Sequence, residues 1–292
     1  MHVEGRARDG YTLDPAEPPE SLAQARVTVV VAPDLEVLRI ASVPERPALA
    51  RLVGVSAATG WRAAVAAAVP DERAAGSPLH LLLDEVAPAT IIGSFPPSWW
   101  KEGTTLNELQ QERPNPPPGT CTGLRPGSSA LAAGESAAWT RALRPTAPPV
   151  HPDDPDGWHD IGILPLRSVH RFRRIDLWVD GATARVDSWF QDGAGDRAHG
   201  RVALHEYTVR ARAERSTGLV SLVEAVPHVL PFAECPTALA GVARLTGMPL
   251  ADMRARVAHT IPRLESCTHL NDALRAIGDA AELLARLEQM GG

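Results

Sequence analysis

Residues 266–272 read SCTHLND, a cysteine and a histidine two positions apart at the start of a helical stretch. Thiolate and imidazole are the side chains that most readily form a nucleophile–base pair or share a transition-metal ion. A second cysteine, Cys235, stands in AECPTAL, and a second histidine, His205, in VALHEYTV. Cys235, Cys267, His269 and His205 are therefore the candidate metal ligands, a set suited to zinc or ferrous iron. With three of them bound, a fourth position stays open for water or substrate. Without a metal, Cys267 is the candidate nucleophile and His269 its base. Positions i and i+2 point about 200° apart on a regular helix, so that pair needs irregular backbone.

The elements that position these residues can be read locally. In GSPLHLLL, Ser77 suits a helix N-cap and Pro78 the first turn, where a missing backbone donor costs nothing. SCTHL aligns with it, which places Ser266 at the cap and Cys267 in the first turn. Pro236 likewise suits a first helical position, making Cys235 the cap. Both thiols are expected at helix N-termini, where partial positive charge favours thiolate over thiol. Cys121, in GTCTGLRPG, reads as a linker residue.

In VALHEYTVRARAE, alternate residues form an apolar row of Ala203, His205, Tyr207, Val209 and Ala211. His205 thus faces the helix starts, while Glu206 lies on the opposite row. Glu206 is a lesser, substrate-contacting candidate that only a bulge would bring inward. Asp176 and Asp187 read as strand-surface carboxylates, and Arg173 and Arg174 as solvated charges.

The wider pattern is two similar halves around a proline-rich middle. Residues 27–86 and 207–277 both give strand, turn, strand, a helix ending in L-x-G, a helix ending in V-x-x-x-[VI]-P, then S-x-x-H-L. Gly54 falls on Gly247, Arg62 on Arg254, Pro70 on Pro262, Ser77 on Ser266 and His80 on His269. The expected organisation is a degenerate first repeat at 1–90, an arm at 91–165 and a second repeat carrying the site at 166–292. In SFPPSWW, Trp99 and Trp100 carry apolar area suited to a lid contacting substrate.

Composition narrows the function classes. Charged residues make up 22% of the 292-residue chain and the net charge is −6, with no basic stripe for nucleic acid. Apolar runs such as VTVVVA are too short to span a bilayer, and the N-terminus lacks the apolar core of a signal peptide. Three cysteines without such a signal suit a reducing cytoplasm, and the Ala, Arg and Pro bias suits a bacterial genome.

HEY at 205–207, ECP at 234–236, LTG at 245–247 and SCTHL at 266–270 resemble domain-of-unknown-function family 2889, whose members carry a glycine-cysteine-threonine-histidine-leucine signature. RDGY at 8–11 and GWR at 60–62 resemble other pieces of the pattern. That family implies no activity. The order of strands and cysteine-started helices is also similar to iron–sulfur scaffold proteins of the NifU type. This second resemblance implies Cys235 and Cys267 as the second and third scaffold cysteines, with His205–Glu206 at the first, where this chain has no cysteine.

The expectation is an α+β pseudodimer of two strand-hairpin-plus-helices units, with antiparallel sheets and helices on one face. Its expected function is an enzyme of bacterial small-molecule metabolism, of lyase, cyclase or hydrolase type. The alternatives are a non-catalytic metal-binding or iron–sulfur scaffold protein and a small-molecule binding module.

Overall fold

Alternation of apolar and polar side chains builds both sheets of the protein. The computed structural model describes residues 1–14, 17–94, 118–131, 144–146, 154, 156–197 and 199–290. Two units are formed, one from 1–96 with 148–164 and one from 97–147 with 165–292. The fold is α+β, as expected, with antiparallel sheets of three and five strands. Among the described residues no helix is long and apolar enough to cross a membrane.

In the first unit, β1 (His2–Tyr11), β2 (Glu20–Val31) and β3 (Val37–Val43) form the sheet in that order. Ala25, Val27, Val29 and Val31 alternate inward along β2 and are buried. Against them pack a 3₁₀ turn (Pro47–Leu52) and the helices α1 (Trp61–Ala68) and α3 (Pro78–Ser94), joined by the short α2 (Pro70–Ala74). Trp61, the largest fully buried side chain, donates its indole N–H to the Leu83 carbonyl at 2.6 Å. Ser77 caps α3 as expected, its hydroxyl accepting the His80 N–H at 3.1 Å.

The second unit begins with β4 (Arg144–Pro145), followed by β5 (Val169–Asp180), β6 (Thr183–Asp196), β7 (Gly200–Glu214) and β8 (Val220–Val229). The order is β4-β7-β6-β5, and β8 also pairs with β7. Tyr207, Val209 and Ala211 of β7 and Val186 and Phe190 of β6 point to the same side. There they meet the helices α4 (Met253–Thr260), α5 (Thr268–Ala276) and α6 (Ala280–Met290). The closing amphipathic helix expected after SCTHL is thus two helices separated by a 3₁₀ turn at Ile277–Asp279. Gly278 sits in that break because a Cβ there would stand 3.0 Å from the Arg254 backbone nitrogen. Cys235–Leu245 is 3₁₀ rather than α-helical. Its buried residues Cys235, Ala238, Gly241, Val242 and Leu245 recur close to every third position, the period of that tighter helix.

The turns after the 3₁₀ segments Pro47–Leu52 and Cys235–Leu245 close in the same way. Gly54 takes φ +85° and donates to the Val37 carbonyl at 2.8 Å, while Val37 N–H donates to Val55 at 2.9 Å. Gly247 takes φ +84° and donates to Val220 at 2.7 Å, while Val220 N–H donates to Met248 at 2.9 Å. Both turns require a left-handed residue, which glycine supplies without steric cost.

A polar chain crosses the sheet face that points away from the helices. Arg201 Nε donates to His170 Nδ1 at 2.9 Å, so the imidazole proton sits on Nε2, 3.1 Å from Gln191 Oε1. Gln191 Nε2 donates to Glu206 at 2.8 Å and to the Thr146 hydroxyl at 3.0 Å, which ties the β4 segment to the sheet. Gly193 lies under the ring, where a Cβ would clash with His170 Cε1. Burial, aided by the neighbouring Arg201 charge, pushes His170 down to about 4 from its ordinary 6.5. Between those two values the unfolded chain binds a proton that the folded one does not, so stability rises with pH across the window and is lost as pH falls through it. Unfolding free energy should drop by about 3 kcal/mol through His170 alone between pH 6.5 and 4. Urea melts across that range should show a shallower pH dependence in His170→Gln, the remainder belonging to groups such as the buried His205.

Candidate functional site

The polar end of the helix-facing side lies where β6 ends and β7 begins. Asp192 and His205 are cross-strand partners there, two rungs beyond Phe190 and Tyr207 and on the same face. The first turn of α5 lowers His269 onto them. Its Nε2 is 3.7 Å from Asp192 Oδ2, and its ring stacks on His205 with centroids 3.5 Å apart and planes 15° from parallel. One ligand atom from each of Asp192, His205 and His269 lies within 4.8 Å of the others. These three residues could hold a metal ion.

Asp192 is fully buried and held at both oxygens by Arg171, at 2.7 Å from Nε and 2.8 Å from Nη2. Arg171 reaches on to Asp272 of α5 at 3.1 Å, and its guanidinium lies 4.8 Å from the Phe190 ring centroid. Such bidentate geometry leaves each carboxylate oxygen a further lone pair for a cation. His205 Nδ1 is buried without a hydrogen-bond partner. Burial first, then the His269 charge, drives the His205 pKa well below its ordinary value, against the opposing pull of Asp192. His205 is thus a neutral imidazole, the form that ligates metals. Because the rings are stacked, their lone pairs run side by side. Convergence on one ion requires His269, the more exposed ring, to turn about its side-chain bonds.

The cysteine helix starts are each displaced by one residue from their expected places. Cys267 is itself the N-cap of α5, with extended backbone at φ −113° and ψ 127°, and Ser266 instead donates to the Arg263 carbonyl. That irregular backbone is what an i, i+2 pair requires, and it brings Cys267 Sγ to 3.9 Å from His269 Nδ1. Cys235 is not the cap but the first residue of its 3₁₀ helix, capped by Glu234. Burial works against the thiolates expected at these helix starts. Burial pushes Cys235 up to about 12. It also raises Cys267, although the Tyr207 hydroxyl and the backbone of Leu270 and His269 lean the other way. A terminal partial charge is weaker than the loss of water around a buried sulfur.

Glu206 lies on the opposite face, its carboxylate taken by Trp189 Nε1 at 3.2 Å and by Gln191. A bulge does occur, since the pairing passes from Asp192↔His205 to Gly193↔Ala203, but it falls at Leu204 and does not turn Glu206 inward. Asp187 pairs with Arg210 at the surface, and Asp176 with Arg174. Arg173 differs from the solvated charge expected, lying on the helix-facing side 5.0 Å from the Phe190 centroid. Trp99 and Trp100 lie outside the described residues.

Asp192 and Arg171 were not among the sequence candidates. The signal for Asp192 was present, because counting by twos from Ala184 through Val186, Ser188 and Phe190 arrives at it on the buried row. Arg171 was legible only through its cross-strand pairing with Asp192.

Residues 169–282 match the family described as protein of unknown function, DUF2889. The matched stretch contains Arg171, Asp192, His205, Cys235, Cys267 and His269. No curated protein and no solved structure matches. The comparisons give no support to a likeness with iron–sulfur scaffold proteins.

Asp192 and His269, two of the three members of the ligand group, should differ sharply in structural cost. Asp192→Asn leaves the buried Arg171 with half its pairing and should lower unfolding free energy by about 3–5 kcal/mol. His269→Ala removes a ring with 22% of its side chain exposed and should cost about 1 kcal/mol. Urea denaturation of the two variants checks the order; equal losses would contradict it.

Proposed function

We propose that the second unit carries a mononuclear divalent-metal centre built from Asp192, His205 and His269, and that the protein is an enzyme acting there on a small molecule. The observation that carries this reading is the gathering of two imidazoles and one carboxylate, with ligand atoms within 4.8 Å of one another, at a largely buried point. Two histidines and a carboxylate suit ferrous iron or zinc and leave coordination positions for water and substrate. An ion held so would supply Lewis-acid activation of a bound oxygen atom, which lyase, cyclase and hydrolase reactions share. Arg171 fixes the carboxylate, and His269, at the rim, is the ligand nearest to incoming substrate.

Chelator-treated protein titrated anaerobically with Fe²⁺ by calorimetry should bind one equivalent at this centre. His205→Ala and His269→Ala should each abolish that binding while circular dichroism stays unchanged. Fe²⁺ binding of unchanged stoichiometry and affinity in the protein carrying both substitutions would overturn the proposal.

A second reading rests on a different alignment. Cys267 Sγ, His269 and Asp192 stand in sequence at 3.9 and 3.7 Å, the order of nucleophile, base and orienting carboxylate. It ranks second because burial raises the Cys267 thiol. Under this reading iodoacetamide should alkylate Cys267 faster than Cys235, and Cys267→Ala should lose turnover yet keep Fe²⁺ binding.

The two units are, on the same proposal, copies of one ancestral unit of which only the second kept a site. The matched closures at Gly54 and Gly247 support this, as does the shared order of strands, 3₁₀ segment and helices. By helix starts, Ser77 of the first unit stands where Cys267 stands in the second.

A further inference from the structure

The Asp192, His205 and His269 group leaves three cysteines unused, and all three lie in one place. Residues 118–131 dock across the starts of the 3₁₀ helix at Cys235 and of α5. Thr122 N–H donates to the Ser266 carbonyl at 2.8 Å, and its hydroxyl meets that of Thr237 at 2.7 Å. The Glu234 carboxylate accepts the Ser129 N–H at 2.8 Å and the Ser129 hydroxyl at 2.7 Å. This docking carries Cys121 inward. A Cβ built on Gly123 would stand 2.9 Å from Cys235 Sγ and 3.8 Å from Cys121 Sγ, so those sulfurs are no farther apart than the sum of the two distances. Glycine is required at 123 because the backbone passes directly against a sulfur. Cys267 Sγ, the third, accepts the Tyr207 hydroxyl at 3.4 Å, and that phenol also lies within electrostatic reach of Cys235 and Cys121. All three thiols are free.

We propose that Cys121, Cys235 and Cys267 form a second site, for a thiophilic metal ion such as Zn²⁺, closed by the docked 118–131 segment. It neither rests on the Asp192, His205 and His269 centre nor shares an assigned ligand with it. Three sulfurs around one zinc ion stand about 3.8 Å apart at Zn–S bonds near 2.3 Å. The sulfurs are more widely spaced than this, since among the described residues Asp192, His205 and His269 are the group whose ligand atoms lie within 4.8 Å of one another. Cys121, on a loop and the most exposed of the three, is the ligand that moves to close the gap. Binding releases three thiol protons to solvent and leaves one net negative charge on the ion and its three thiolates. Donors to hold that charge are in place: the Tyr207 hydroxyl and backbone N–H groups at His269 and Leu270 beside Cys267, and at Phe232 beside Cys235. The fourth position is left for water or an incoming ligand.

The test uses Co²⁺ as a spectroscopic substitute, titrated into reduced, chelator-treated full-length protein. Thiolate ligation gives a strong sulfur-to-cobalt charge-transfer band in the near ultraviolet, which nitrogen and oxygen ligands do not. The wild type should show that band. Cys121→Ser should reduce its intensity by about a third and weaken binding at least about tenfold, because one of three thiolates is lost. Gly123→Ala, which keeps every thiol but pushes the segment off Cys235, should weaken it in the same direction. His205→Ala should leave the band intact while removing Fe²⁺ binding at the other centre, so the two assignments fail separately. Absence of the band in the wild type, or a band unchanged in Cys121→Ser, would overturn the three-thiolate site. Cys121→Ser changes a loop residue and decides the matter even if Cys235→Ser does not fold.

Discussion

The pairing of Arg171 with Asp192 governs how this unit can be built. Moving two charges out of water costs several kcal/mol per ion, and only near-ideal geometry with further hydrogen bonds offsets it. Both carboxylate oxygens are taken by the guanidinium, whose remaining donor reaches Asp272 and whose face lies beside Phe190. One side chain of β5 thereby fixes β6 laterally and α5 from above. With Asp272 fixed, the start of α5 cannot rotate freely, and His269 is delivered onto His205. The stacked imidazoles follow from the ion pair, and so does the change from apolar core to polar cluster within two rungs of the sheet.

The thiols illustrate a competition that position alone does not decide. A helix start offers a partial positive charge and free donors, both of which favour a thiolate. Around Cys235 and Cys267 these are present but act inside a packed core, where removing water from a charged sulfur costs more than the terminus returns. Helix starts therefore make sulfur centres here only when something else supplies positive charge. A bound cation does so; a bare backbone does not.

Much of the scaffold was legible, and the reasons are local. The alternation in VALHEYTVRARAE placed His205, Tyr207, Val209 and Ala211 on one face correctly, since period two is a property of the strand itself. Gly54 and Gly247 could be singled out because a left-handed turn leaves a residue type behind, and both take positive φ. Caps were misplaced by one position, because Ser266 and Cys267 are adjacent residues either of which can end an extended segment. Arg171 and Cys121 were missed for another reason. Their roles arise from partners 21 and 114 positions away, Asp192 in one case and Cys235 in the other, and no periodicity within a segment encodes such meetings. The site was therefore readable in its imidazoles and unreadable in what fixes them.

The bulge at Leu204 has a consequence for motion. Opposite Leu204 there is no partner residue on β6, so the ladder loses one rung immediately before His205. Strands open first where ladder contacts are sparse, and amide exchange around 203–205 should be faster than along Tyr207–Ala211, where β6 and β8 grip the strand from both sides. The slack lies beside His205, against which the stacked His269 ring must turn before both can face one ion. A sheet paired along most of its length thus keeps a compliant joint beside His205.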